Sequence, residues 1–374
     1  MHRIRILVVD DSVVVRRLVS DVLAADPSLE VVGTAANGRI ALARIPQLNP
    51  DVITLDIEMP EMDGLEALAA IRKSWARLPV IMFSTVTERG AAATLDALSL
   101  GANDYVTKPS NVGGVTAATA RIREELIPKI KVHCGAVGSA SPVPSRIPAP
   151  AAVARNRPAL AAPRRGCRVE IVAIGVSTGG PNALAKLVPH LPANLPVPVV
   201  IVQHMPPIFT KFLADRLAAK SQITVEEGSP GQAVEPSHVW VAPGNFHMVL
   251  KREGTAVRIG THQGPPENSC RPAVDVLFRS VATTYGAGAL GVVMTGMGQD
   301  GLRGCEWICE QGGRVIVQDE ATSVVWGMPG FVAQAGLADK VLPLDQMAEE
   351  IVRRVGEFRT PAPVRVAEWQ FELS

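Results

Sequence analysis

The chain has 374 residues, 47% hydrophobic and 20% charged, with a formal net charge of +1, so two or three ordinary globular domains are expected. The near-neutral balance argues against a general nucleic-acid or membrane-surface role, and 4% aromatic content argues against base-stacking platforms. No apolar stretch approaches the ~20 residues needed to span a bilayer, and Met1-His2-Arg3 leads straight into a strand, so a cytoplasmic protein without a signal peptide is expected. Five cysteines show no paired metal spacing and are expected to be reduced, with Cys305 and Cys309 one helical turn apart.

In chain order, residues up to about 131 alternate strand and helix. Apolar runs predict strands over 4–9, 31–35, 52–55, 80–83 and 104–106. Helices are predicted between them, for example over 12–25, where Val14, Leu18 and Val22 form an apolar stripe. Five βα units make one doubly wound domain, and ligands bind such sheets at the carboxyl edge. The run Asp51-Val52-Ile53-Thr54-Leu55-Asp56 ends on a carboxylate before a Pro60 to Gly64 loop, and the first strand ends on Asp10-Asp11. If the two strands are neighbours, three carboxylates meet, a cluster that suits Mg²⁺. Ser84 ends the fourth strand and Lys108 follows the fifth. An ammonium, a hydroxyl, a metal and a carboxylate together suit a phosphoryl group, with Asp56 as the nucleophile. Taken singly, Asp10 or Asp11 reads equally well as an N-cap of the first helix.

Residues 134–166 are rich in Ala, Pro and Ser, carry Arg146, Arg155, Arg157, Arg164 and Arg165, and contain no acidic residue. Such a stretch cannot bury a core and reads as a linker. A basic nucleic-acid arm is the sharper reading, and it lacks aromatics. A second α/β region follows, with strands predicted over 169–174, 197–202, 289–294 and 314–317 and a hairpin-patterned insertion over 222–260. Its last helix is predicted over 345–358. The tail beyond holds Glu368-Trp369-Gln370-Phe371-Glu372, either a docking element or a plain terminus.

The first strand of this half runs into Gly175-Val176-Ser177-Thr178-Gly179-Gly180-Pro181, which formally matches the nucleophile-elbow pattern. A nucleophilic serine, a nucleotide-binding turn and a plain helix start compete there. The next strand ends at Gln203-His204, and a later one leads into Gly298-Gln299-Asp300-Gly301. A lone edge histidine can be structural and Asp300 can be an N-cap. Jointly, Ser177, His204 and Asp300 on strand ends of one sheet are what a Ser-His-Asp triad needs. Asp275 and Asp319 remain alternative carboxylates, and the role of Arg271 stays open. The chain order differs from that of the α/β-hydrolases, and the glycine turn lacks the spaced third glycine of a dinucleotide site.

Residues 1–131 resemble a response-regulator receiver domain, and about 168–355 resemble the catalytic domain of the CheB family, the chemotaxis protein-glutamate methylesterases. The first likeness rests on Asp10-Asp11, Asp56, Ser84 and Lys108-Pro109. The second rests on Gly175–Pro181, Gln203-His204-Met205-Pro206 and Thr295-Gly296-Met297-Gly298-Gln299-Asp300-Gly301. The fold implied is α/β, with two doubly wound domains: a flavodoxin-like (βα)5 receiver and a parallel-sheet hydrolytic domain with a β-hairpin insertion. The divisions are 1–131 receiver, 132–167 linker, 168–358 catalytic domain and 359–374 tail.

The receiver resemblance implies Asp56 as phosphoacceptor. Asp10, Asp11, Asp56 and the Glu58 carbonyl would hold Mg²⁺, with Ser84, Tyr105 and Lys108 as phosphate-responsive residues and a cis Lys108-Pro109 bond. Tyr105 by itself also reads as a half-buried core aromatic. The catalytic resemblance implies Ser177 as nucleophile, His204 as base and acid, and Asp300 as the orienting carboxylate. The Met297 amide would serve the oxyanion, Thr178 would lie beside Ser177, and no cofactor is expected for ester hydrolysis. Met205, Met297 and Met328 read either as a substrate groove or as core. The implied partners are a histidine kinase as phosphodonor and methyl-accepting chemoreceptors as substrate, with no nucleic acid and no membrane insertion. The unphosphorylated receiver is expected to cover the Ser177 edge. A non-catalytic binding module and a nucleotide-binding output domain are the competing classes.

Overall fold

The computed structural model describes residues 3–108, 119–135 and 168–356. Pro109 and its bond to Lys108, most of the linker and the 359–374 tail lie outside the described residues. Strands β1 (Ile4–Val9), β2 (Leu29–Ala35), β3 (Val52–Asp56), β4 (Val80–Ser84) and β5 (Asp104–Thr107) pair in parallel in the order β2-β1-β3-β4-β5. The strand order reverses between β1 and β3, and the crevice there is where a doubly wound sheet receives its ligand. Helices α1 (Val13–Ala24), α2 (Gly38–Leu48), α3 (Gly64–Ser74) and α4 (Glu88–Ser99) connect the strands, and α5 (Ile127–His133) follows a π turn at Ile122–Leu126. Ser12 caps α1, accepting from the Val15 amide. Asp10 and Asp11 are therefore not needed as its N-cap and stay at the sheet edge.

The second half holds β6 (Ile171–Val176), α6 (Gly180–Leu187), β7 (Val199–Gln203), α7 (Phe209–Ala218), β8 (Thr224–Glu227), β9 (His238–Val241), β10 (His247–Glu253) and β11 (Ala256–His262). It continues with α8 (Val274–Tyr285), β12 (Ala289–Val293), α9 (Leu302–Glu310), β13 (Arg314–Gln318), α10 (Met328–Gln334), β14 (Lys340–Leu342) and α11 (Leu344–Gly356). Seven strands form one parallel sheet in the order β14-β13-β12-β6-β7-β9-β8. The predicted hairpin insertion is only partly that. Residues 224–241 supply two parallel strands to the main sheet, and the antiparallel pair is β10 with β11 alone. The order reverses between β6 and β12, so the crevice of this sheet opens where Ser177 and the β12 loop emerge.

The two halves touch through α4, α6 and α7. Tyr105 of β5 stacks on Phe209 at the start of α7, with ring centroids 5.3 Å apart and planes 9° from parallel. Arg216 of α7 bonds Asp96 (2.6 Å) and Ser99 (2.7 Å) of α4, and Asn182 donates to the Leu98 carbonyl at 3.1 Å. Leu95 and Leu98 continue into the core around Phe209, Leu213 and Leu217. Among the described residues no helix is long and apolar enough to cross a membrane.

Candidate active site

At the carboxyl edge of the first sheet, β1 and β3 lie side by side and bring Asp10, Asp11 and Asp56 together, with one ligand oxygen from each within 4.8 Å of the others. Lys108 reaches across to Asp10 (2.8 Å) and Asp56 (2.7 Å). Asp56 is 1% exposed. Burial is the largest influence on its carboxyl, against which Lys108 pulls down and Asp10 adds to the rise, and the result is about 6. Burial would lower Lys108, but its two carboxylate partners raise it. Three carboxylates against one ammonium leave excess negative charge in an all-oxygen donor set, and this fits Mg²⁺. The Glu58 amide donates to Asp56 at 3.4 Å, so its peptide borders the same crevice. Ser84 is fully buried and faces α4, where its hydroxyl meets the Gly90 carbonyl (3.1 Å) and accepts from Thr94 (2.7 Å). It is not in contact with Asp56 in this arrangement. Tyr105, 8% exposed, lies against Phe209 with Lys129 over its ring.

At the second edge, β6 ends immediately before Ser177. Its amide donates to the Thr295 carbonyl (3.0 Å), and its carbonyl accepts from Gly180 (2.8 Å) and from the Gln203 side chain (3.0 Å). Gly179 turns the chain at φ 78°, a left-handed conformation that favours glycine. Gly296 must be small for a different reason. A Cβ there would lie 2.8 Å from the Ser177 Cβ and inside contact distance of the Met328 sulfur. His204 follows β7, the neighbour of β6, and its amide donates to the Val176 carbonyl at 3.2 Å. Asp300 follows β12, the neighbour of β6 on the other side.

The imidazole links these strand ends. His204 Nε2 meets Asp300 Oδ2 at 2.7 Å, and Nδ1 meets the Cys270 sulfur at 3.5 Å. Both ring nitrogens are thus occupied, and Ser177 is in neither contact. Asp300, 2% exposed, also accepts from the amides of Val274 (2.7 Å), Asp275 (3.0 Å) and Gly301 (3.0 Å) and from Asn268 (2.9 Å). Burial would raise its carboxyl, but His204 and these amides hold it below the ordinary carboxylate range. For His204, burial lowers the imidazole, while the Cys270 sulfur and Asp300 outweigh it and raise it to about 10.

Asp275 does not touch His204. It accepts from the amides of Gly301 (3.0 Å) and Gly304 (2.6 Å), and Asn268 bridges it to Asp300. Burial pushes its carboxyl up to about 6. Asp319 holds the turn after β13 through Thr322, away from the histidine. Arg271 pins Asn245 (3.1 and 2.6 Å) and the Gly264 carbonyl (3.0 Å), tying the loop before α8 to the hairpin. Met297 is partly exposed beside Gly298, whose φ is 84°, and Thr178 is buried with its carbonyl accepting from Thr295 at 2.9 Å. Met205 and Met328 are buried core residues.

Sequence reasoning missed Cys270 and Asn268. The left-handed residues Asn268 (φ 52°) and Ser269 (φ 62°) turn the loop back on itself, and no local pattern announces that. A cleft of about 760 Å³ runs over this edge, lined by Ser177, His204, Cys270 and Met297 and, from the first half, by Tyr105, Arg121, Glu125 and Lys129. The first half of the chain therefore forms one wall of it.

Residues 172–351 match the CheB methylesterase family model, and residues 6–120 match the response regulator receiver domain. A protein-glutamate methylesterase/protein-glutamine glutaminase of Trichodesmium erythraeum is 57% identical over 356 residues, covering 95% of this chain and 100% of the relative. One from Nocardioides sp. is 52% identical over 360 residues, 96% of this chain and 97% of the relative. The crystal structure of the Thermotoga maritima CheB methylesterase catalytic domain is 44% identical, with a TM-score of 0.49 over 50% of this chain and 98% of that one. Identity sustained across both halves means that the chain belongs to the CheB methylesterase family, with a response-regulator receiver domain ahead of the methylesterase half.

Proposed function

We propose that this chain hydrolyses glutamyl methyl esters on methyl-accepting chemoreceptors, releasing methanol, deamidates receptor glutamines, and is activated by phosphorylation of Asp56. The observation that carries the chemistry is the His204–Asp300 pair, 2.7 Å apart, on the strand ends that flank Ser177. Ser177 attacks the ester carbonyl while His204 takes its proton. With Nε2 held by Asp300, Nδ1 is the nitrogen left for this, once it has left Cys270. The imidazolium returns the proton to the departing methoxide, giving methanol. Water then adds to the acyl-serine, His204 takes one of its protons, and the carboxylate and free serine are restored. Met297 and Gly298 line the same cleft as Ser177, and a backbone amide there is the expected donor to the carbonyl oxygen as it gains charge. On glutamine the same steps release ammonia.

A base must be neutral to accept a proton, and the Cys270 sulfur and Asp300 raise the His204 imidazole, favouring its charged form. The covered arrangement is accordingly read as the resting form. Contacts become looser or tighter when substrate arrives, so the missing Ser177–His204 bond does not count against the assignment. In the receiver, Mg²⁺ held by Asp10, Asp11, Asp56 and the Glu58 carbonyl would offset phosphoryl charge. Asp56 offers the nucleophilic oxygen, and Lys108 neutralises the new phosphoryl group. Ser84 would leave Gly90 and Thr94 to reach it, and Tyr105 would move off Phe209, loosening the covering wall. A histidine kinase is the expected phosphodonor.

The test is methanol release from methylated receptor membranes, with and without a small phosphodonor. Turnover that rises with phosphodonor, and disappears in Ser177→Ala with folding intact, supports the reading. Absence of turnover in the phosphorylated wild type leaves a non-catalytic binding module.

A further inference from the structure

Cys270 is unused by the proposed chemistry, yet it is held against the reacting histidine. We infer that Cys270 Sγ and His204 Nδ1 form a site for a zinc-class divalent cation, open to the cleft, and that its occupation blocks hydrolysis. Zinc sits about 2.3 Å from sulfur and about 2.0–2.1 Å from imidazole nitrogen, so two tetrahedral ligands stand about 3.5 Å apart. The sulfur and Nδ1 are 3.5 Å apart. The other ring nitrogen faces Asp300 at 2.7 Å, the carboxylate–histidine arrangement that orients metal-bound imidazoles. Asp300 is itself fixed by three backbone amides and Asn268. One potential ligand atom from each of His204, Cys270 and Asp300 lies within 4.8 Å of the others.

The placement of Cys270 is rigid. Glu267 and Cys270 exchange backbone hydrogen bonds (3.1 and 2.9 Å), closing the turn made by the left-handed Asn268 and Ser269. Arg279 grips the Glu267 carboxylate with both nitrogens (2.5 and 2.7 Å). Cys270, His204 and Ser177 all line the cleft, so a cation has an entry path from it. Soft sulfur and imidazole donors favour zinc, whereas Mg²⁺ prefers the all-oxygen cluster at Asp10, Asp11 and Asp56. Two metals of different hardness would thus bind opposite halves of the chain. A cation on Nδ1 leaves no nitrogen to accept the Ser177 proton. This inhibitory consequence rests on the proposed role of His204, but the binding does not.

The experiment uses the full chain with saturating Mg²⁺ to occupy the acidic cluster. Co²⁺ is the spectroscopic probe, and Zn²⁺ is the inhibitor of methanol release. The expected result is a thiolate-to-cobalt charge-transfer band in wild type and in Cys134→Ser, and its loss in Cys270→Ser. The Zn²⁺ concentration that halves each protein's own metal-free rate should rise by about tenfold or more in Cys270→Ser, the scale of loss seen when metal-site partners are removed. An unchanged band and unchanged Zn²⁺ sensitivity in Cys270→Ser overturn the site. Zinc bound through Cys270 without slowing hydrolysis overturns the inhibition. A Cys270-dependent band in a protein with no metal-free turnover upholds the site and removes the hydrolytic reading instead.

Discussion

Gly296→Ala tests whether the β12 loop sets the position of the serine. Carbon atoms in contact stand about 3.5–4.0 Å apart, and the added Cβ would lie 2.8 Å from the Ser177 Cβ. Relief requires a relative displacement of about 1 Å. Gly296 cannot supply all of it, because its amide donates to the Val325 carbonyl (3.0 Å) and its carbonyl accepts from Gly327 (3.1 Å) and Met328 (2.8 Å). Part of the movement falls on Ser177. Misplacing a reacting group by 1 Å costs about 10²-fold in rate, and overpacking a buried site costs about 1–3 kcal/mol of stability. The assay pairs kcat/KM for methanol release with a urea unfolding midpoint. A Gly296→Ala enzyme within about threefold of wild-type kcat/KM would refute the reasoning, since it leaves no room for the expected displacement.

Three further outcomes follow from the same contacts. Asp300→Asn should fold, because most of its backbone donors keep an oxygen acceptor. Its kcat should fall by about 10⁴, the scale expected when a triad carboxylate is neutralised, and a loss below tenfold would point to another carboxylate. Arg216→Ala removes the half-exposed contacts to Asp96 and Ser99 that join the halves. Such a pair contributes about 0.2–1 kcal/mol, so the unphosphorylated rate should rise by up to about fivefold. A rate unchanged by Arg216→Ala would mean that this contact does not hold the cover in place. For Asp56, the folded carboxyl is raised from 3.8 to about 6. The folded state therefore holds the proton longer than the unfolded state, and wild type loses stability as pH rises from about 4 to 6, by about 3 kcal/mol in all. Asp56→Asn escapes this loss, so its stability advantage should grow across that window without Mg²⁺ and shrink when Mg²⁺ is added. A pH-independent difference in urea midpoint would contradict the assignment.

The strand ends were legible in the sequence because each β-branched run stops on a chemically distinctive residue: Asp56, Ser84, Ser177 and His204. A buried parallel strand leaves that signature locally, and the sheet edge collects the ends. Pairing partners leave no such signature. The stretch 222–260 reads as hairpin-patterned, yet within it β9 pairs with β7 and lies parallel to β8. Cys270 was silent because its contact with His204 depends on two left-handed residues and spans 66 positions. The direction in which Ser84 faces belongs to the conformational state, and composition and spacing carry no information about that.

The contacts between the halves bear on how much work phosphorylation must do. Moving a two-state equilibrium from 1:99 to 99:1 takes about 5.5 kcal/mol of differential stabilisation. The Tyr105–Phe209 stack adds about 0.5–1.5 kcal/mol beyond its buried area, and the Arg216 pair contributes at most about 1 kcal/mol. These two contacts therefore account for less than half of the required shift, and the apolar surface around Leu95, Leu98 and Leu213 must carry the rest. Phe209 lies five residues after His204 in sequence and opens α7, so a displaced Tyr105 would disturb the loop that carries the histidine as well as the cover above it. In the proposed mechanism a single movement at β5 thus serves two ends. It opens the cleft to a receptor segment, and it moves the loop that sets the imidazole between Asp300 and Cys270.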